Sequence, residues 1–511
     1  KGNLVREVDA LGGEMARLID ATMIQFRVLN ASRGPAVQSY RAQADKQGYA
    51  ALAKRTLERQ TGLQLFQDTV TDFLVDPSDS RVTGVVTARG RQVRAPAVVL
   101  TTGTFMEATL FIGEWTAPGG RLGEPPAAGL GSSLRRRGFT VGRMKTGTPA
   151  RGLGRSLDTG KMERQEPDRI ARPFSFGADG VDRPAVPCWI TYTNERTHAI
   201  IRDNIHRSPL YGGKIVGRGP RYCPSIEDKV VRFPERERHQ VFVEPEGLGT
   251  DEVYLNGVSS SLPEDVQEAF LRTLPGLERL EIVRPGYAVE YDYLQPTQLF
   301  PSLMTKRYAG LFVAGQTNGT SGYEEAAAQG IVAGINAGLF VEGRKPLVLT
   351  RAEAYVGVMI DDLVTLGTEE PYRLFTSRAE YRLSLRHDTA DVRLTPRAAS
   401  VGLVGEEARE RLARKIDGLE EIAELLRARK VSAEDAAAIP ALEPHRGRDF
   451  AQALRDPRVT VHELVGREPR LGAFPAEWRE IAESGVKYDG YIRRQEEQVA
   501  RFRGMEEKKI P

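Results

Sequence analysis

Cysteine is nearly absent: Cys188 and Cys223 are the only two among 511 residues. Two thiols cannot build a disulfide framework, which points to a reducing, cytoplasmic compartment. Long apolar runs are missing too. None approaches the roughly 20 residues needed to span a bilayer, so no membrane attachment is expected. Charge of one sign is scarce, since 72 Lys+Arg against 69 Asp+Glu leave a net +3. That balance argues against a uniformly basic nucleic-acid coat protein and leaves room for a local basic face. The six histidines show no H-x-x-x-H pair and the cysteines lie far apart, which argues against a zinc site. No G-x-S-x-G elbow or Walker A sequence is present, which weakens serine-hydrolase and nucleoside-triphosphatase readings. There is no initiator Met, signal-peptide pattern, fixed-period repeat or low-complexity tract.

Glycine, by contrast, is plentiful at 51 residues, which suits many tight strand-to-helix turns. The length predicts more than one domain, and the chain falls into four stretches. In residues 1–151, Val5, Val8, Leu11 and Met15 suit one helical face, broken at Gly12-Gly13. Residues 38–60 read as a polar helix with Leu52 and Ala53 inward, and residues 63–74, 81–87 and 92–95 as short strands. Ala97-Val98-Val99-Leu100 is an unalternated apolar run, as expected of a strand buried on both faces of a parallel sheet. Residues 152–289 carry mixed short elements and many prolines, as in one or more inserted domains. In residues 290–342 a second buried strand, Leu311 to Ala314, precedes a long small-residue helix. Residues 343–511 turn helical and charged, with Leu412, Ile416, Leu419, Ile422 and Leu426 on one side of a helix over 406–429.

Three local signals carry chemistry. The first is Gly315 to Ala326, a Gly-rich turn between the second buried strand and its helix. Ala326, Gly330, Gly334 and Gly338 recur every four residues, so one helix face is small enough for close packing. A helix start of this kind can hold a phosphate or the anionic side of a reduced flavin ring. The spacing fits a ligand-free connection equally well.

The second signal is Cys223. Ser225 and Asp228 form an S-x-x-D start, so a helix begins just beyond the cysteine. A thiol there, with Arg221 and Lys229 near in sequence, is expected to have a lowered pKa and act as a nucleophilic thiolate. A buried structural cysteine is the commoner fate of a lone thiol, and Cys188 has the apolar neighbours of that kind. The third signal is local basicity. Residues 125–157 hold Arg135, Arg136, Arg137, Arg143, Lys145, Arg151 and Arg155 and no acid. A second cluster interleaves Arg373, Arg378, Arg382, Arg386, Arg393 and Arg397 with Tyr372, Phe375 and Tyr381. On a helix, Arg378, Arg382 and Arg386 form one stripe, suited to RNA phosphates beside stacked bases. Charge runs alone favour a solvated face.

Taken together, Lys1 to Glu7, Leu100 to Phe105, Lys145 to Pro149, Tyr222 to Lys229, Gly315 to Gly330, Thr376 to Arg382 and Lys487 to Ile492 closely resemble the tRNA uridine 5-carboxymethylaminomethyl modification enzymes, the MnmG/GidA family. The pieces span the chain in order. The resemblance implies an α/β fold, with a Rossmann-like FAD-binding domain, inserted α+β domains and a C-terminal α-helical domain. It assigns residues 1–151 and 290–342 to FAD binding, 152–289 to NADH and substrate, and 343–511 to tRNA and partner. It implies FAD, NADH and methylene-tetrahydrofolate as cofactors and co-substrate, with tRNA, a GTPase and a second copy of the chain as partners. The product is an aminomethyl or carboxymethylaminomethyl group at C5 of a wobble uridine.

By the same resemblance Cys223 adds to uracil C6. Val70, Thr102, Gly103 and Gln316 meet FAD, and Gly219 to Phe233 binds the nicotinamide. That last segment contributes Gly219, Pro220, Arg221, Tyr222, Pro224, Ser225, Lys229 and Phe233. A G-x-G-x-x-G fingerprint and a second cysteine are expected before Lys1, and a further helical region after Pro511. Thr317 stands where an apolar residue is expected, and Ala127 where the family can offer the flavin a serine. A related folate-dependent tRNA uracil-5 methyltransferase is an alternative that lacks the long helical extension. A non-catalytic tRNA-binding scaffold on a flavin fold and a small-molecule flavin oxidoreductase are the others.

Overall fold

The structure, a computed structural model, describes residues 1–221 and 224–506. It is mixed α/β, as expected, with a helical C-terminal region. Helix Gly2–Ala10 ends where Gly12 takes φ +92°, and Met15–Thr22 follows. Val5, Val8 and Leu11 are buried as their spacing requires. The first helix is nonetheless buried on every side, because Glu7 on its polar face accepts the Tyr355 and Val356 N–H groups at 2.9 Å each. A buried carboxylate is tolerable when a helix start and a cation satisfy it.

Residues 38–60 are not one helix. Ser39–Ala44 is a strand paired antiparallel with Met23–Leu29, and the helix is Lys46–Glu58 alone, with Asp45 Oδ1 accepting the Gly48 N–H. A polar strand with one open face looks helical to a composition-based reading. Val70–Asp76, Arg81–Thr87 and Gln92–Arg94 form the three-stranded meander, while residues 63–69 are irregular.

The positioning element is a parallel pair. Val98–Leu100 lies beside Leu311–Val313 in the register Val98↔Leu311 to Leu100↔Val313. Leu311 to Ala314 are buried. Val98 and Val99 are only half-buried, so the run 97–100 is not covered on both faces. Helix Tyr323–Val341 covers this pair and shares its apolar core with the first helix and with Tyr355–Asp361.

Two antiparallel sheets follow. One has the order Trp115–Pro118, Thr109–Ile112, Tyr287–Leu294, Val141–Thr148. The other has six strands, ordered Glu163–Gln165, Cys188–Tyr192, Gln240–Pro245, Glu252–Asn256, Arg151–Leu153, Ile282–Arg284, over its own core. The helical region has a third core around Ile422, Leu442, Phe450 and Leu464. Its long helix, Glu406–Ala428, buries Ile422 and Leu426 as expected, but its first half is turned: Ile416 is exposed, while Lys415 and Gly418 face inward. Lys415 Nζ is drawn in by both Asp391 oxygens at 2.8 Å, and a Cβ at Gly418 would lie 2.5 Å from the Trp478 ring. Among the described residues no helix is long and apolar enough to cross a membrane, and no cluster of three His, Cys, Asp or Glu could hold a metal ion.

Candidate functional site

Because the two central strands are parallel and in register, the turns after Leu100 and Val313 leave the same edge. In such sheets ligands gather at the carboxyl ends of the strands. Here Thr102 Oγ1 and Thr317 Oγ1 share a hydrogen bond of 2.6 Å. Gly103 has φ +59°, and a Cβ there would lie 3.8 Å from Gln316 Oε1. Thr102, Gly103 and Gln316 are therefore brought together. The hydroxyl at 317, where an apolar residue was expected, joins the two turns.

The turn Gly315–Asn318 is held by one buried amide. Gln329 Oε1 accepts from Gly315 N at 3.2 Å and Asn318 Nδ2 at 3.0 Å, and Gln329 Nε2 donates to Thr320 Oγ1 at 2.9 Å. Gly315 N is thus spoken for, contrary to a turn of free N–H groups. Gly319 takes φ +86°, and a Cβ would clash with Thr368 at 2.6 Å, so glycine is required. The Asn318 Oδ1 atom is buried with no hydrogen-bond partner. Tyr291 approaches Gln316 from the four-stranded sheet; burial pushes its hydroxyl pKa up and Gln316 partly offsets this. Gln329 and Tyr291 were missed in the sequence; an amide among the apolar and small residues of the helix, as at Gln329 and Asn336, is the signal for the first.

On the small-residue face Ala326 lies against the turn, where a Cβ at Gly315 would be 3.5 Å from its Cβ, but the three glycines beyond it meet nothing described. Added Cβ atoms at Gly330, Gly334 and Gly338 would meet no atom within 4 Å among the described residues. Val70 opens the strand Val70–Asp76 and packs, half-buried, on the main core. Ala127 N donates to Phe105 O at 2.8 Å, tying its loop to the chain just after Gly103.

Of the segment 219–233, Tyr222 and Cys223 lie outside the described residues. Gly219, with Pro220 and Arg221 after it, follows Arg218, whose carbonyl accepts from Lys145 N at 3.0 Å on the edge of the four-stranded sheet; a Cβ at Gly219 would lie 3.3 Å from Lys145 Cδ. Pro224 and Ser225 lead into helix Ile226–Arg232, and Ser225 Oγ accepts the Asp228 N–H at 3.4 Å, so the helix starts where S-x-x-D places it. Lys229 Nζ donates to Gly257 O at 2.7 Å. Phe233 ends the helix, exposed. Cys188 is buried beside Gln43, and burial, aided by Glu244, pushes its thiol up to about 12.

The basic clusters are largely neutralised. Arg135 and Arg143 pair with Asp292, Arg137 with Asp72, Arg151 with Glu246 and Arg155 with Glu281. Arg378, Arg382 and Arg386 form no helical stripe: short 3-10 turns interrupt the segment, Arg386 is buried against Asp388, and Arg378 stacks on Tyr372 at 4.6 Å. Arg382 is exposed and makes no ion pair with a described residue.

A glycine turn clamped at the ends of two parallel strands, with inserted antiparallel sheets and a helical extension, defines a Rossmann-like α/β protein of the dinucleotide-binding class. Residues 1–345 match the family described as glucose inhibited division protein A, and residues 406–496 match the C-terminal helical domain of tRNA modifying enzyme MnmG/GidA. The chain belongs to the GidA family.

A curated relative from Borrelia garinii subsp. bavariensis, named tRNA uridine 5-carboxymethylaminomethyl modification enzyme MnmG, is 55% identical over 511 residues, covering 100% of this chain and 82% of the relative. A protein of the same name from Treponema pallidum is 54% identical over 524 residues, covering 100% and 83%. The solved structure of Aquifex aeolicus GidA in its form I crystal superposes with TM-score 0.90 at 45% identity, covering 100% of this chain and 83% of that one.

Proposed function

We propose that this chain is the flavin-dependent enzyme that modifies C5 of wobble uridine in tRNA, with NADH and methylene-tetrahydrofolate, as a homodimer working with a GTPase in the cytoplasm. The observation carrying this reading is the meeting of Thr102, Gly103 and Gln316 at the carboxyl ends of the parallel strands, in a chain of this family. The residues present fit a dinucleotide: in the turn after Val313, Asn318 Oδ1 is a buried acceptor without a donor. Val70, Thr102, Gly103 and Gln316 would hold FAD. Once bound, FAD supplies hydride acceptance from NADH and onward reduction.

Uracil C5 is a weak nucleophile while the ring stays conjugated. Addition of the Cys223 thiolate to C6 moves the ring electrons toward O4 and C5, so C5 can attack a one-carbon electrophile derived from the folate and an amine. Loss of the C5 proton then expels the thiolate and restores the ring. Gly219 to Phe233 would bind the nicotinamide beside it.

The helical match over residues 406–496 favours this reading over the uracil-5 methyltransferase. The test is mass spectrometry of tRNA nucleosides from cells lacking the gene, with and without complementation. Return of the modified wobble uridine is expected with the wild-type gene and not with Cys223→Ser at equal flavin content. Plain 5-methyluridine as the product would overturn it, as would flavin-free protein that still binds tRNA.

A further inference from the structure

The strand Val141–Thr148 pairs with Tyr287–Leu294 so that Lys145 lies opposite Glu290 and Arg143 opposite Asp292. Opposite residues share a face. Arg143 meets Glu290 at 2.9 Å and Asp292 at 3.1 Å, and Arg135 meets Asp292 at 2.6 Å. Glu290 Oε1 also accepts the Val216 N–H at 2.9 Å and the Gly217 N–H at 2.5 Å. Two cations and two anions close on themselves.

Lys145 is the fifth charge on this face. It is 4% exposed and makes no ion pair or hydrogen bond through its ammonium with any described residue.

The neighbouring chain shows where a counter-charge would enter. Residues 216–219 lie along the free edge of Val141–Thr148, with Met144 bridged parallel to Arg218. Two glycines clear this face. A Cβ at Gly217 would lie 3.1 Å from Glu290 Oε1, and one at Gly219 would lie 3.3 Å from Lys145 Cδ. The first lane holds a satisfied carboxylate. The second carries a lysine stem across the first residue of the segment assigned to the nicotinamide.

We propose that Lys145 binds a phosphate oxygen of the pyridine dinucleotide and that Gly219 is glycine so the lysine can reach it. This rests on the functional reading above. A tRNA phosphate shares the chemistry, but a lysine so deeply buried beside Gly219 favours the small ligand over a duplex backbone held at the surface.

The test uses the full-length flavin-loaded enzyme with Lys145→Met, Lys145→Arg and Gly219→Val. Inorganic pyrophosphate should raise the melting temperature of wild type and not of Lys145→Met. The KM for NADH in flavin reduction should rise about tenfold or more in Lys145→Met, with kcat little changed and partial recovery in Lys145→Arg. Dihydronicotinamide riboside, which lacks phosphate, should reduce both proteins alike. Gly219→Val should raise the NADH KM with the charge intact, which keeps the proposal testable should Lys145→Met not fold.

Unchanged pyrophosphate and NADH responses in Lys145→Met overturn the proposal. Loss of tRNA affinity with an unchanged NADH KM overturns the dinucleotide assignment. Wild type that fails to oxidise NADH sinks the functional reading instead, while the pyrophosphate arm still reports on the anion site.

Discussion

The Glu7 carboxylate lies 3.3 Å from the Arg393 guanidinium between the first helix and Ala390–Ser400, the acid fully buried and the arginine partly so. The same carboxylate accepts the first two N–H groups of Tyr355–Asp361. One acid from the start of the chain thus fixes two helices beyond residue 350. Glu7→Gln removes the buried anion that Arg393 meets. Breaking a buried pair from one side costs about 3–5 kcal/mol, so urea unfolding should show a loss of that order. A loss below about 1 kcal/mol, the range of exposed pairs, would reject this role.

The two cysteines should differ sharply toward alkylation. Burial pushes the Cys188 thiol up to about 12, so at pH 8 on the order of one molecule in ten thousand carries its thiolate. Cys223 is expected to react as a thiolate. Iodoacetamide on native protein at pH 8, followed by peptide mass spectrometry, should label Cys223 and spare Cys188, with both labelled after unfolding. Equal native labelling would contradict the assignment of roles.

Much of this was legible in the sequence, for identifiable reasons. Unalternated apolar runs and glycine turns report local geometry, so the strand at 311–314 and its turn were visible. So was the helix start at Ser225, because a cap is written in four residues. What was hidden depends on partners far away in the chain. The small-residue face of Tyr323–Val341 announced close packing, yet no described atom lies within 4 Å of a Cβ added at Gly330, Gly334 or Gly338. The arginines from 373 to 397 looked like one basic cluster, with Arg378, Arg382 and Arg386 as a stripe on a helix. Their acids sit at Asp362, Glu353 and Glu7, which no local reading connects. The role of Gln329 required knowing that its helix folds back over its own preceding turn.

Pairing also decides which arginines can meet tRNA. Arg382 and Arg136 are exposed and make no ion pair with a described residue, whereas Arg386 is 5% exposed and bound to Asp388. A phosphate contact releases counterions, adding about 0.7–0.9 to the slope of log K against log salt. Arg382→Ala should therefore lower that slope by roughly one, with unchanged stability. Arg386→Ala should mainly destabilise the fold. A filter-binding titration across salt checks this, and an unchanged slope for Arg382→Ala would remove the residue from the interface.

The pH dependence of folding should carry the mark of His387. Its ring packs 4.5 Å from Tyr40, its carbonyl accepts Arg6 Nε at 3.3 Å, and burial lowers its pKa to about 4 against the pull of Asp388. The unfolded chain takes up this proton near 6.5, so between those values it binds more protons than the native state. Stability must then rise with pH across that window and fall as acid is added, by on the order of 3 kcal/mol in all. Asp20 works the other way. Burial raises its carboxyl to about 6, above the ordinary 3.8, although it accepts the Phe174 and Ser175 N–H groups. Its native form gains the proton first, so it adds stability as pH falls from 6 toward 4. The wild-type profile also carries the other shifted acids, the buried Glu7 and Asp9 among them, so each group is read from its variant's difference from wild type. His387→Gln should lose the acid-side decline that His387 contributes, so its urea midpoint should rise relative to wild type as pH falls from 6.5 to 4.5, while that of Asp20→Asn should fall relative to wild type. Parallel profiles for wild type and His387→Gln would show that the imidazole is not held neutral in the folded protein.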